Sequence, residues 1–229
     1  MSNVFAMGAC RIQSALQTMG YPIYDCWYYT HTISQAIQAF RYFNGELQYP
    51  EDIYDLVKVL GNENYPPHPK IETLINSFYK ADVLFLEIQT TKNYEYDGLF
   101  LNQVCEKARK KEGVRFYQDS KQDLKNKMSL IEDIYPCPVV FVAHVLCDRW
   151  LQSMPFLKER RIIEEAIIEF CLEKPNRLIF IPSTIIDIYG DQMMLTTQDG
   201  NVDINHYSKF GNTIVAKEFD KIIKKVLQT

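Results

Sequence analysis

Four short stretches of this chain are apolar over the length of a strand: Val4-Phe-Ala-Met7, Asp82 to Ile88, Val139 to Val145 and Arg177 to Pro182. Runs of this length without regular polar alternation suit parallel strands covered on both faces. Between them the spacing changes to that of helices with one inward face. Ile12, Ala15, Leu16 and Met19 predict a helix over Ala9 to Met19, and Ile37, Phe40 and Ala36 predict one over Ser34 to Phe43. The same pattern predicts helices over Glu51 to Leu60, Pro69 to Tyr79, Leu99 to Lys111, Gln122 to Ile134 and Phe156 to Leu172. Val215, Phe219, Ile222 and Val226 make the stripe of a last helix. Gly61 and the Pro66-Pro67-His68-Pro69 turn separate the helix over Glu51 to Leu60 from the one over Pro69 to Tyr79. The aromatic segment Tyr21 to Tyr29 reads as a further strand or an aromatic loop. Gln192 to Val202, with Asp199-Gly200 at its turn, reads as a small hairpin. Strands alternating with helices, joined by right-handed crossovers, imply an α/β protein: a three-layer α/β/α sandwich around a mainly parallel sheet of about five strands. One domain spanning 1–229 is expected, with a helical insertion around 31–80 long enough to close as a lid.

Composition narrows the functional classes. Of 229 residues, 47% are hydrophobic and 24% charged, an ordinary globular balance, and the net charge of -4 offers no general attraction to nucleic acid or anionic membrane. No apolar run approaches membrane-spanning length, and the first residues lack the basic start and long apolar core of a signal peptide, so a cytoplasmic protein without membrane insertion is expected. The six cysteines are scattered without a Cys-x-x-Cys pair, which suggests neither a zinc site nor a disulfide framework. No metal is expected. Homo-oligomerisation is left open.

The chemistry concentrates at the two ends of the chain. In Asp203-Ile-Asn-His206, just before the last helix, a carboxylate three residues ahead of a histidine can orient and charge-stabilise the imidazole while the other ring nitrogen faces a nucleophile. The nucleophile that fits is Cys10, in Met7-Gly-Ala-Cys-Arg-Ile12, at a strand-to-helix junction. There the unpaired helical N–H groups and the dipole favour a thiolate or a bound oxyanion, and Gly8 permits a tight turn and close approach of substrate. Gln89-Thr-Thr-Lys-Asn93 follows the second apolar run at the sheet edge where ligands bind in open parallel sheets, which makes Gln89 and Asn93 candidate oxyanion or substrate contacts. His31 and His144 are further candidates for the same edge, against the reading of satisfied core histidines. Arg11 either binds an anion or pairs with a carboxylate. The cluster Tyr24, Trp27, Tyr28 and Tyr29 either packs or stacks on a sugar or adenine.

These residues resemble the SGNH (GDSL-like) hydrolase superfamily. Its first block sets the nucleophile just after a glycine that follows strand one, a position matched by Gly8 and Cys10; its last block is Asp-x-x-His with a glycine five residues on and a helix after it, matched by Asp203, His206, Gly211 and Ala216. The resemblance implies a flavodoxin-like, SGNH-type sheet. Cysteine replaces the superfamily's serine, and Gln89-Thr90-Thr91 stands where a Gly-x-Asn-Asp block is usual. Gly-x-Cys is similar to a bacterial branch associated with capsular polysaccharide biosynthesis, whose members bind coenzyme A, although that branch carries Gly-Asn-Cys-Gln where this chain has Gly-Ala-Cys-Arg. What this implies is an acyltransferase moving acetyl from acetyl-CoA to a sugar or nucleotide-sugar hydroxyl or amine. Cys10 would be the nucleophile, His206 the base and Asp203 its orienter, with Lys92 or Arg11 at the coenzyme A phosphates. The basic run Lys107, Arg109, Lys110, Lys111 and Arg115 is a second phosphate candidate or a solvated helix face. An SGNH-type esterase or carbohydrate deacetylase is the alternative, followed by a non-catalytic glycan- or nucleotide-binding module.

Overall fold

The structure, a computed structural model, describes residues 2–50, 53–57, 71–102, 105–135, 137–154 and 157–228. Strand β1 (Val4–Gly8) leads into helix α1 (Cys10–Thr18), and a short helix α2 (Ile23–Cys26) precedes β2 (Trp27–Tyr29). The aromatic segment therefore splits into a helical turn and a short strand. Helix α3 (Ile33–Phe43) begins at a capping box in which the Thr32 hydroxyl accepts from the Gln35 N–H. Then come α4 (Tyr54–Val57), α5 (Ile71–Tyr79) and β3 (Val83–Ile88). His68 and the proline turn around it lie outside the described residues, as do Phe156 and the middle of the expected lid.

Three strands follow, one inside the stretch expected to be helical and two where the apolar pattern predicted no element. β4 (Lys92–Tyr96), β5 (Leu99–Phe100) and β6 (Arg115–Gln118) form a small antiparallel sheet in the order β5-β4-β6, and only α6 (Glu106–Lys110) in this stretch is helical. The expected helix over Leu99 to Lys111 is thereby corrected. Asp97 and Gly98 turn the first hairpin with positive φ at both positions, 50° and 77°, the conformation an Asp-Gly turn adopts.

The remainder runs through α7 (Lys121–Ile134), β7 (Val139–Ala143), α8 (Asp148–Ser153), α9 (Lys158–Leu172), β8 (Leu178–Phe180), α10 (Pro182–Tyr189) and a 3₁₀ turn over Gly190–Met193. β9 (Met194–Thr196) and β10 (Val202–Tyr207) then form an antiparallel hairpin before α11 (Lys209–Val226). The hairpin extends further than its sequence signal, so the Asp-x-x-His segment lies on a strand rather than in a loop. Its register shifts between Asp203 and Tyr207. Such a shift re-aims side chains that a regular strand would alternate.

The main sheet has five strands in the order β2-β1-β3-β7-β8, all parallel. Phe5 and Met7 face one layer, with Ile33, Phe40, Leu74, Phe78, Met128 and Phe170 from α3, α5, α7 and α9. Val4 and Ala6 face the other, with Ile12, Leu16, Ile186, Val215 and Phe219 from α1, α10 and α11. Period-2 alternation along an entirely buried strand thus feeds two cores, which is the three-layer sandwich. Parallel strands place all their C-terminal ends along one edge, where Gly8, Ile88 and Ala143 end their strands. Among the described residues no helix is long and apolar enough to cross a membrane.

Candidate active site

The β1–α1 turn is held by a carboxylate from the neighbouring strand. Glu87 is the single charge in β3 and only 2% exposed; its Oε2 accepts from the Ala9 N–H at 2.9 Å, and its Oε1 accepts from Arg11 Nε at 2.8 Å and pairs with Nη2 at 2.7 Å. A buried charge persists only when paired and hydrogen-bonded, and Glu87 is both. Gly8 is what lets the two strands approach here, since a Cβ on it would lie 2.6 Å from Glu87 Cβ. Trp27 Nε1 donates to the Gly8 carbonyl at 3.0 Å and fixes the turn from the β2 side.

The same arginine ties the two ends of the chain together. Arg11 Nη1 donates to the carbonyl of Asn205 at 2.8 Å. Asn205 directly precedes His206, and Arg11 directly follows Cys10, so α1 and β10 meet beside the thiol. His206 Nδ1 shares a 2.8 Å hydrogen bond with Asp203 Oδ2, while Asp203 Oδ1 accepts from the Asn205 N–H at 2.8 Å. Desolvation works to raise the Asp203 pKa, but the His206 and backbone hydrogen bonds outweigh it and hold the carboxyl below its usual range. The imidazole is half exposed and held by one edge, leaving Nε2 directed elsewhere.

Cys10 is the first residue of α1 and partly buried. Its pKa is raised, first by burial and further by the Glu87 and Asp203 carboxylates, against the lowering influence of Arg11 and of its own backbone N–H. The resting group is therefore a thiol. It forms no hydrogen bond with His206. Activation has to come with proton transfer, as expected where catalytic contacts tighten only around substrate.

The other residues singled out from sequence fall into two groups. At the same edge, His31 is buried with Nε2 sharing a 2.7 Å hydrogen bond with the Tyr29 hydroxyl, and the Gln89 N–H donates to the His31 carbonyl at 2.9 Å. His144 follows β7, fully buried, with Nδ1 3.2 Å from the Val145 carbonyl and Nε2 without a partner among the described residues. Burial first, then Arg11 and Arg160, push its pKa well below 6.5, so it is neutral. Gln89 has a buried Oε1 without a partner among the described residues. By contrast, Asn93 sits on β4 with its amide donating to the Thr91 carbonyl at 3.0 Å, and no hydrogen bond links it to Cys10. Lys92 pairs with Glu159 at 3.1 Å and Arg11 with Glu87, so neither cation expected at coenzyme A phosphates is unengaged. In the basic run, Lys110 pairs with Glu106, Arg115 pairs with Glu95 and Lys111 lies over the Tyr96 ring, which suits a solvated face.

Sequence reasoning missed Glu87, Glu159, Arg160 and Asn205. Glu159 caps the end of β3, accepting from the Thr90 hydroxyl, from the Thr91 N–H at 2.6 Å and from the Thr91 hydroxyl at 3.0 Å. Burial raises its pKa, but these bonds and Lys92 outweigh that and hold it ionised below the usual glutamate range. Arg160 Nη1 donates to the carbonyls of Val145 at 2.9 Å and Ile204 at 3.1 Å, and Nη2 to Asn205 Oδ1 at 2.6 Å. Asn205 is thus a junction, its backbone bound by Arg11 and its side chain by Arg160. A lone glutamate inside an apolar strand was the readable signal for Glu87.

Residues 2–111, just under half of the chain, match the family model of the TviD N-terminal domain. The matched stretch contains Gly8, Cys10, Arg11 and Glu87 but stops short of Asp203 and His206. No curated protein matches the chain.

Proposed function

We propose that this protein is an acyltransferase that moves an acetyl group from a thioester such as acetyl-CoA to a hydroxyl or amine of a sugar or nucleotide sugar. The match to the TviD N-terminal domain supports, at a coarse level, a role in capsular polysaccharide biosynthesis. One observation carries the chemistry: the strand that bears the hydrogen-bonded Asp203–His206 pair is tied to the helix that begins at Cys10 by the 2.8 Å bond from Arg11 to Asn205. In the first half-reaction His206 Nε2 takes the Cys10 proton as sulfur attacks the thioester carbonyl, and the Cys10 N–H at the start of α1 donates to the oxyanion. Collapse breaks the bond to the donor sulfur, which receives that proton from His206. The acceptor hydroxyl or amine then gives its proton to His206 and attacks the acyl-cysteine, and the departing Cys10 sulfur is reprotonated. Asp203 keeps Nδ1 protonated and steadies the transient imidazolium. Exchange between two thioesters is nearly thermoneutral, which suits a cysteine nucleophile. Arg11 and Lys92 are engaged by carboxylates, so neither is assigned to the donor's phosphates.

The half-exposed His206 also leaves room for water as acceptor, which favours esterase or deacetylase chemistry as the second reading. Assaying free-thiol release from acetyl-CoA with amino sugars, and acetate release without acceptor, separates the two. Cys10→Ala should abolish acceptor-dependent release, and undiminished turnover would remove Cys10 from the chemistry.

A further inference from the structure

The carboxylates nearest the site are each engaged. Glu87 holds Arg11 and the Ala9 N–H, Glu159 holds Lys92, Thr90 and Thr91, and Asp203 holds His206 and the Asn205 N–H. Arg160 stands among them without an ion pair to any described residue. Its three hydrogen bonds go to uncharged oxygens: two backbone carbonyls and the Asn205 amide. A guanidinium has five N–H groups, and these bonds leave Nε and one Nη2 hydrogen without a protein partner among the described residues. The group is only partly exposed, its pKa lowered to about 9 first by burial and then by the neighbouring Arg11 charge, against the raising influence of the Glu87, Glu159 and Asp203 carboxylates. A cation that is partly desolvated, fixed in direction by three bonds and in ion-pair contact with no carboxylate of the described residues is organised to receive an anionic oxygen. Its position follows from Asn205, one residue from His206. His144 lies against the same Val145 carbonyl and, being neutral, neither competes for the anion nor repels it.

We propose that Arg160 forms an anion-binding subsite beside Cys10 and His206 that receives a carboxylate or phosphoryl group of the substrate. Resting on the acyl-transfer reading, this makes the preferred substrate negatively charged near the reacting centre. The two sources of that charge are a uronic-acid carboxylate on the acceptor and a phosphoryl group on a nucleotide-linked substrate.

Thermal shift of the full chain at constant ionic strength, with glucuronate against glucose and with pyrophosphate against buffer alone, tests the subsite without requiring turnover. The wild-type midpoint should rise with one anion and not with glucose. A response to glucuronate identifies the carboxylate source, and one to pyrophosphate the phosphoryl source. Arg160→Gln should weaken that anion about tenfold or more, and Arg160→Lys, which keeps the charge but loses the fork, should weaken it less. In turnover, Arg160→Gln should raise KM for a charged acceptor more than for its neutral analogue, a discrimination a purely structural arginine would not produce. Wild-type protein responding equally to charged and neutral sugars, and not to pyrophosphate, would overturn the subsite even with Cys10-dependent turnover intact. Anion binding that depends on Arg160 in a protein whose turnover ignores Cys10 would keep the subsite and remove the acyl-transfer reading.

Discussion

Replacing Arg11 with methionine strips Glu87 of its cation while leaving the carboxylate where it is, 2% exposed beneath the β1–α1 turn. Of the three donors that now hold it, the two from Arg11 at 2.7 and 2.8 Å would go, and the Ala9 N–H at 2.9 Å would remain. Breaking one side of a buried ion pair costs about 3–5 kcal/mol, because an uncompensated charge stays in the interior. For a chain of this size each kcal/mol moves the melting midpoint by about 2–4 °C, so a fall of roughly 6–20 °C is expected at neutral pH. Arg11→Met/Glu87→Leu should regain most of the stability, since apolar replacement of both partners is often neutral. It should not regain activity, because the bond from Arg11 to Asn205 is missing in both variants. Urea and thermal unfolding, run beside the free-thiol assay, measure both effects. A single variant within about 1 kcal/mol of wild type would refute the view that this pair organises the turn.

Further outcomes follow from the same geometry. Gly211→Ala would set a Cβ 2.0 Å from the Met193 carbonyl oxygen; a loss of about 1–3 kcal/mol or more is expected by urea unfolding, and an unchanged midpoint would contradict that close approach. Iodoacetamide alkylation of Cys10, with Cys10→Ala as background, should be slow at neutral pH and still climbing above pH 9, since burial raises this thiol from 9.0; a plateau below pH 7 would instead mean a preformed thiolate. His144 has its pKa pushed well below 6.5 by burial. Its neutral form therefore contributes stability that is complete above pH 6.5 and lost as the pH falls through the range below it, so His144→Gln should flatten that part of the stability profile.

Much of the architecture was legible because strands buried on both faces have few residue types open to them. β3 and β7 are almost uninterrupted apolar runs, and the Asp203 and His206 spacing announced an oriented imidazole. Leu99 to Lys111, which includes one strand of the small sheet, was read as helix because Leu99, Leu101, Cys105 and Ala108, all buried, recur at spacings a helix would also give. Asp97-Gly98 between Tyr96 and Leu99 was the better guide, being a hairpin turn signal that outranks a weak period. Arg11 and Lys92 were plausible anion ligands in one dimension only. Their partners, Glu87 and Glu159, come from other strands and helices, and such long-range charge matching leaves no trace in local sequence. Arg160 was hidden for the opposite reason. Within Lys158-Glu-Arg-Arg161 it looks like any charged helix start, and only its three hydrogen bonds set it apart.

The central claim is that one site, built from both ends of the chain, carries an acyl group on Cys10. Mixing the protein with acetyl-CoA in the absence of acceptor, quenching in acid and mapping the adduct by peptide mass spectrometry tests it directly. A single acetyl group on the peptide containing Cys10, removed by hydroxylamine and formed far more slowly in His206→Ala, is the predicted result. An unmodified Cys10 peptide from a preparation that transfers acetyl groups at full rate would contradict it.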